Sequence, residues 1–196
     1  MIRKAREEDI DALDNIYSQA RRFMIENNNP EQWGNDHPSK EFILEKIRDG
    51  VQFVSENDKE IDGAFSFTIG EDETYQLIDD GEFIDSSLYG TIHSLAKKKG
   101  REHFFDDVIS FALEKILHLR IDTHRDNSIM RKLIFEKNFI YCGIIYVLEH
   151  SPRLAYEYVT FERYLSLLKE KNIDIDANEA EKLYQQRVFP KMNRFN

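Results

Sequence analysis

The sequence predicts a mixed α/β fold, in which a central mixed β-sheet is flanked by helices and followed by a helical extension. Segments with the period-two alternation of strands are interspersed with segments that repeat at helical spacing. The strand-helix-strand unit from Tyr89 to Thr123 should be parallel with a right-handed crossover, whereas the flanking hairpins should be antiparallel. After Thr160 the pattern changes to two short charged helices, which gives the extension.

The first third of the chain predicts two strands and two amphipathic helices. Ile2 to Ala5 forms a short strand, and apolar residues then recur at helical spacing as far as Met24. Ser39 is placed to cap a second helix, which Gly50 ends. Val51 to Ser55 follows as a strand.

The middle of the chain predicts two strands separated by a long loop. Apolar and polar residues alternate from Ile61 to Ile69, which indicates a strand with one buried face. Residues 71–88 form an acidic loop without Lys or Arg, which either attracts a cationic amine or is simply solvated. Tyr89 to Ala96 is the next strand, and the basic run Lys97–Arg101 separates it from a helix near Phe104.

The last part predicts three more strands and the extension. A strand over Leu119–Thr123 and a short helix precede the apolar strand Phe139–Val147, and Leu154, Tyr156 and Tyr158 alternate in the final strand. Residues 1–160 therefore form one domain, and residues 161–196 form the helical extension. Both extension helices carry an apolar stripe, so we expect them to pack on their own domain or on a second subunit, as in a homodimer.

Composition and charge narrow the function classes. The 196 residues suit one domain with an appendage, and 41% hydrophobic with 33% charged residues is an ordinary globular composition. The net charge of −10 disfavours nucleic acid and anionic membranes as partners and favours cationic small molecules or basic proteins, or it simply maintains solubility.

No apolar run has the length of a membrane span or a signal-peptide core, so we expect a cytoplasmic protein. Cys142 is the only cysteine, which excludes an internal disulfide and disfavours a cysteine-built metal site, and we expect no metal.

Three stretches resemble the GNAT (N-acetyltransferase) superfamily. Tyr89–His93 resembles its central strand, and Arg120–Asn127 with the residues up to Phe139 resembles its second conserved segment, an Asn-x-x-(Ala or Met)-x-x-Leu pattern that ends in Phe. Tyr141–Tyr146 with Ser151–Tyr156 is similar to a bacterial GNAT subgroup of undefined substrate. The resemblance covers about residues 1–160 and implies a GNAT fold with splayed parallel strands.

The resemblance implies acetyl-coenzyme A as the acyl donor. In the family, the pantetheine arm pairs with the backbone of the central strand, and the pyrophosphate lies at the N-terminus of the next helix, where free N–H groups favour anions. The residues of this chain that the resemblance assigns to coenzyme binding are Leu95, Ala96, Lys97, Arg101, His103, Phe104, Phe105, Asn127 and Met130.

The phosphate loop departs from the family pattern Arg/Gln-x-x-Gly-x-Gly/Ala. Its aligned positions are Gly100, His103 and Phe105, so two small residues have become bulky. Asp106 and Asp107 add carboxylates at the positive end of the helix, where a pyrophosphate would bind. The neighbouring lysines and arginine either favour binding of the coenzyme's phosphates or simply form a solvated loop.

Two functions therefore stay open: an N-acyltransferase acting on a primary amine of a small molecule or protein, and a non-catalytic GNAT-like binding or regulatory module that has lost efficient coenzyme binding.

The acid and base of the family are not at their usual positions. The tyrosine that many GNATs use as the acid is matched by Ile134, and the glutamate of the central strand is matched by Thr91. His93 shares a strand face with Thr91 and is the candidate base, or else a histidine hydrogen-bonded within the sheet. Trp33 lies on the loop that covers the acceptor site in the family, where it either packs on substrate or anchors its own loop. Thr91 and Trp33 are the candidate substrate-binding residues.

Overall fold

The computed structural model describes residues 1–147 and 150–188. The predicted fold class is confirmed, because the described residues have a mixed α/β fold with seven strands flanked by helices. The elements follow the predicted order, with two short 3-10 turns at Glu7–Asp9 and Glu73–Tyr75 in addition. The chain divides into two compact units: residues 1–70 with 90–115, and residues 71–89 with those from 116 onward.

The first unit contains four strands and three helices. Their bounds are β1 Ile2–Lys4, α1 Ile10–Glu26, α2 Lys40–Arg48, β2 Gln52–Asn57, β3 Glu60–Ile69, β4 Gly90–Lys97 and α3 Phe104–Leu113. The strands lie in the order β1-β2-β3-β4, and each neighbouring pair is antiparallel. Helices α1 and α2 cover a core that includes Leu13, Ile16, Ile43 and Val54, none of which has any exposed surface.

Local sequence explains how the first-unit elements begin and turn. The Ser39 hydroxyl caps α2 by accepting a hydrogen bond of 3.2 Å from the Phe42 N–H, as predicted. Strands β2 and β3 are joined by Asp58 and Lys59, whose φ angles of 49° and 65° are those of a tight two-residue hairpin turn. The turn places β3 antiparallel to β2.

The second unit contains three strands and three helices in its described part. Their bounds are β5 Leu119–Thr123, α4 Ser128–Glu136, β6 Ile140–Val147, β7 Ser151–Tyr158, α5 Phe161–Glu170 and α6 Ala177–Val188. The strands lie in the order β5-β7-β6 and are antiparallel. Across the described residues, no helix is long and apolar enough to cross a membrane.

The described part of the extension shares a core with the strands of the second unit. Tyr164, Leu167 and Leu168 of α5 and Ala180, Tyr184 and Val188 of α6 are buried in one cluster with Ile140 and Cys142 of β6. The Tyr184 hydroxyl also donates a hydrogen bond of 2.8 Å to the Val159 carbonyl. Both apolar stripes are therefore covered within their own unit, although Leu183 of the predicted stripe is 39% exposed. Residues 189–196 of the predicted extension lie outside the described residues.

Candidate functional site

Strand β4 carries a β-bulge in the stretch predicted to contact the coenzyme. Ala64 of β3 pairs with Ala96, but Ser66 pairs with His93, so a step of two residues on β3 spans three on β4. Ser94, inside this step, has a φ of 50° in the left-handed region. The bulge interrupts the regular pairing with β3 around Leu95, one of the residues predicted to contact the coenzyme.

The turn before helix α3 keeps a glycine-like backbone without the family's glycines. Gly100 has a φ of 86°, and His103, the N-cap of α3, has a φ of 54° that normally favours glycine. The imidazole of His103 is exposed, and its Nδ1 lies 3.0 Å from Asp106 Oδ2. The His103 side chain is thus directed to a neighbouring carboxylate, and its main chain takes a conformation that normally favours glycine.

The first two side chains of α3 belong to the core. Phe104 and Phe105 are 1% and 4% exposed. A Cβ added to Gly63 would lie 2.4 Å from the Phe104 ring, so β3 and α3 approach as closely as a glycine permits. A contact between these two residues and a coenzyme can therefore come only from their main-chain N–H groups.

The positive charges of the basic run are partly neutralised by neighbouring carboxylates. Arg101 forms an ion pair with Asp107, and its Nε lies 3.2 Å from Asp62 Oδ2. Lys98 Nζ lies 3.3 Å from Glu60 Oε2. Lys97 and Lys99 are exposed, and neither forms an ion pair with any residue that the structure describes. These two ammonium groups are the charges of the run that a phosphate could use.

His93 and Thr91 lie on one face of β4, as predicted, because the register with β3 is regular between them. His93 is half-buried and pairs with Ser66, and Thr91 pairs with Thr68. Thr91 has no exposed surface, and its Oγ1 has no hydrogen-bond partner among the described residues. A buried hydroxyl without a partner is unfavourable by about 1–3 kcal/mol, which makes this position notable on a strand predicted to line a site.

The remaining predicted residues occupy ordinary structural positions. Trp33 packs edge-to-face on Tyr17, with 5.8 Å between ring centroids, and joins the core cluster of the first unit. In the second unit, the Asn127 side chain accepts a hydrogen bond of 3.0 Å from the Met130 N–H and so caps α4. Trp33 thus anchors its own loop, one of the two roles considered for it, and the binding roles of Trp33, Asn127 and Met130 stay predictions.

The second unit contains an open cavity of about 370 Å³ that was not predicted from the sequence. It is lined by Glu71, Tyr75, Gln76, Phe83, Asp85, Ser86, Tyr89 and Arg120. Most of these residues come from the acidic 71–88 segment, which is anchored to β6 by two hydrogen bonds of 2.8 Å between the backbones of Asp79 and Ile144. The segment is therefore fixed to the unit at this point, while most of its acidic side chains are exposed to solvent.

A buried cluster of charged groups lies behind this cavity. Glu157, with no exposed surface, accepts hydrogen bonds from Arg120 Nε at 3.1 Å and from the Ile84 N–H at 2.6 Å, and its Oε1 lies 2.7 Å from His118 Nε2. Asp85 accepts hydrogen bonds of 2.6 and 2.9 Å from the Arg163 guanidinium. Sequence reasoning missed this cluster, because Arg120 and Glu157 alternate with the apolar residues of their strands and so fall on the face that the pattern assigns to solvent.

Two other titratable groups of this unit are held in their protonated forms. Burial and the charge of Asp122 raise the pKa of Tyr75 well above its usual value, and the Tyr75 hydroxyl donates a hydrogen bond of 2.9 Å to Asp122 Oδ1. Burial and the nearby Glu157 carboxylate likewise raise the pKa of the Cys142 thiol. Neither group is suited to act as a base or nucleophile at neutral pH.

Comparison with known structures shows that this chain has the fold of the GNAT acetyltransferases. A GNAT-family acetyltransferase from Streptococcus agalactiae is 24% identical to this chain, with a TM-score of 0.72 and coverage of 82% of this chain and 95% of that one. A GNAT-family acetyltransferase from Listeria monocytogenes is 14% identical, with a TM-score of 0.60 and coverage of 80% and 92%. A ribosomal-protein-alanine N-acetyltransferase from Brucella melitensis is 18% identical, with a TM-score of 0.53 and coverage of 82% and 99%. No protein-family model matches the chain, and no curated protein does. At these identities the likeness concerns the fold.

Proposed function

We propose that this chain is an N-acyltransferase of the GNAT superfamily, which transfers an acetyl group from acetyl-coenzyme A to a primary amine. The observation that carries the proposal is the bulged strand β4, which leads through a basic turn to a helix start within a GNAT fold. Acetyl-coenzyme A needs a strand backbone to pair with its pantetheine arm and positive or N–H groups to bind its phosphates. This segment of the first unit offers both.

The residues present fit the coenzyme in part. The backbone at Leu95 and Ala96, beside the bulge, would hold the pantetheine arm. The N–H groups of Phe104 and Phe105, with the exposed Lys97, would face the phosphates, while the left-handed His103 keeps the turn open for close approach. When bound, the coenzyme would supply the activated acyl group. Arg101, Asn127 and Met130 belong to the same proposed set.

His93 is the proposed base for the acceptor amine. An amine must lose a proton before it can attack a thioester, and an imidazole on the face that Thr91 shares can receive it directly or through water. Trp33 and Thr91 are the proposed contacts to the acceptor, which is an amine of a small molecule or of a protein. The net charge of −10 favours such cationic acceptors.

The alternative function, a binding or regulatory module with little coenzyme affinity, is favoured by the charges at the start of α3. Asp106 and Asp107 occupy its first turn, and Arg101 is engaged by Asp62 and Asp107. Carboxylates there compete with a phosphate for the positive helix end and repel it.

A calorimetric titration with coenzyme A distinguishes the two functions. The acyltransferase predicts saturable binding, and coenzyme at about 100 times its dissociation constant should add roughly 2.7 kcal/mol of apparent stability. Acetyl transfer from acetyl-coenzyme A to a panel of primary amines should then follow. No heat of binding at millimolar coenzyme, with the protein folded by circular dichroism, would leave the module as the function.

A further inference from the structure

The cavity of the second unit lies entirely between residues of that unit and shares none of the residues proposed for acyl transfer. Three aromatic side chains line it, Tyr75, Phe83 and Tyr89, and its charged groups are the buried Arg120 and Asp85 and the exposed Glu71. A volume of about 370 Å³ is that of a small-ligand site. An inference about this cavity therefore does not rest on the proposed function.

Arg120 lines the cavity and is locked in one orientation. Its guanidinium lies between two rings, 3.7 Å from the Phe83 centroid and 3.9 Å from the Tyr89 centroid. Nε donates to Glu157, and Nη2 donates to the Asp85 carbonyl at 2.8 Å. Nη1 has no hydrogen-bond partner among the described residues. A rigid, charged donor with free N–H groups is prepared for an acceptor such as a carboxylate.

The two carboxylates that line the cavity differ in how many hydrogen-bond and ion-pair partners they already have. Asp85 is satisfied, because Arg163 binds both of its oxygens and the Ser87 N–H donates a further bond of 2.9 Å. Glu71 is exposed and forms no ion pair within the described part of the chain. The cavity is thus lined by one arginine whose Nη1 is a free donor and by one carboxylate without an ion pair, together with the aromatic side chains of Tyr75, Phe83 and Tyr89.

We propose that this cavity binds a free α-amino acid with an apolar or aromatic side chain. The carboxylate accepts hydrogen bonds from Arg120 Nη1, the ammonium pairs with Glu71, and the side chain packs on Tyr75. A ligand with only a carboxylate is repelled by Glu71, and a ligand with only an ammonium leaves the Arg120 Nη1 without an acceptor. The zwitterion satisfies both groups.

Three probes of one shape test the proposal: L-phenylalanine, 3-phenylpropanoate, which lacks the ammonium, and 2-phenylethylamine, which lacks the carboxylate. We expect L-phenylalanine to bind at least about tenfold more tightly than either, a difference of about 1.4 kcal/mol. Binding is followed by NMR titration of the full chain, with amide shifts expected at Gln76 and Ser86 beside the cavity.

Removing the charge of Glu71 tests the proposal further, because it should change which of the three probes binds best. Glu71→Gln should weaken L-phenylalanine about three- to tenfold and strengthen 3-phenylpropanoate, since the repulsive carboxylate is gone. Glu73→Gln, an equally exposed glutamate that does not line the cavity, is the matched control and should change neither. The proposal is wrong if 2-phenylethylamine binds as well as L-phenylalanine, if Glu71→Gln behaves like Glu73→Gln, or if L-phenylalanine does not saturate the wild-type protein by about 10 mM, the affinity range of the weakest specific sites.

Discussion

Substitutions of individual side chains test whether strand β4 lines an acyl-transfer site. The buried Thr91 hydroxyl lacks a partner in the described residues, so its removal costs no hydrogen bond. We expect Thr91→Val to leave the free energy of unfolding in urea unchanged or to raise it by up to about 1 kcal/mol. If Thr91 contacts substrate, acetyl transfer falls in this equally stable variant. A loss of more than about 1 kcal/mol would instead indicate that the hydroxyl has a partner such as a bound water.

His93 is the residue whose replacement tests the proposed chemistry. His93→Ala and His93→Gln should both lower the turnover rate by roughly 100-fold or more while the affinity for coenzyme A stays the same. Glutamine keeps a hydrogen-bonding side chain but cannot take the proton, so it separates the two roles of the imidazole. A glutamine variant with full activity, beside an alanine variant with a lower melting temperature, would assign His93 a structural role.

The Asp85–Arg163 pair gives a pH dependence with a definite sign. Burial acts to raise the pKa of Asp85, but the hydrogen bonds from Arg163 and Ser87 outweigh it and hold that pKa below its ordinary range. A carboxyl with a lowered folded-state pKa stabilises the fold above its unfolded pKa of about 4 and loses that stabilisation as the pH falls. We therefore expect the free energy of unfolding to drop below about pH 4.

Arg163→Gln should flatten this acid dependence and lower stability at pH 7 by about 1–2 kcal/mol, a discounted value because the guanidinium is 35% exposed. Arg163 also pairs with Glu170 at 2.8 Å, so Glu170→Gln is the control that removes only this exposed contact. Denaturant titrations between about pH 2.5 and 7 measure both variants around the carboxyl pKa. Equal acid dependence in wild type and Arg163→Gln would contradict the assigned partner.

At the scale of elements, the turn between β4 and α3 sets the coenzyme affinity. Within this turn, Lys97 and Lys99 form no ion pair with any described residue, whereas Lys98 pairs with Glu60. Replacing both Lys97 and Lys99 with Ala should weaken coenzyme A binding about three- to tenfold and reduce its salt dependence. Lys98→Ala is the matched control with a smaller effect. Calorimetry at low and high salt checks this, and equal losses in all variants would exclude a specific role for the two free lysines.

At the scale of the whole molecule, the stability of the second unit depends on the extension helices that complete its core. Deleting residues 161–196 would uncover Ile140, Cys142 and Ile84, which share a core cluster with α5 and α6. We expect the shortened chain to aggregate or to lose cooperative unfolding, as judged by size-exclusion chromatography and urea denaturation. A soluble 1–160 fragment with an unchanged midpoint would show that the first 160 residues are a complete domain.

Point variants test the same contact without a deletion. Leu167→Ala, at a buried α5 position, should cost about 2–4 kcal/mol, and Leu183→Ala, at an exposed α6 position, should stay within about 0.5 kcal/mol. Similar losses at both positions would argue that the helices pack differently from the structure described above.

Much of the fold could be predicted because its signals are local. The alternation from Ile61 to Ile69, the Ser39 cap and the apolar stripes of α5 and α6 each depend on residues a few positions apart, and all reappear in the structure. The type and order of the elements follow from such short-range periodicity. The bulge in β4 could not be predicted, since a bulge arises from the mismatch between two paired strands and is invisible in either one alone.

By itself, the sequence determined the fold class, the element order and the positions of His93, Thr91 and the basic turn, because periodicity and motif resemblance are properties of neighbouring residues. Only the tertiary structure decided which charges are free. Arg163 meets Asp85 across 78 positions of the chain, and Arg120 meets Glu157 across 37. Such long-range pairs neutralise some groups and leave others, such as Lys97, available. The cavity likewise depends on tertiary structure, because it brings Arg120 of β5 together with residues of the 71–88 segment. Its proposed ligand contacts, Glu71 and the Arg120 Nη1, are groups that these long-range pairs leave without a partner.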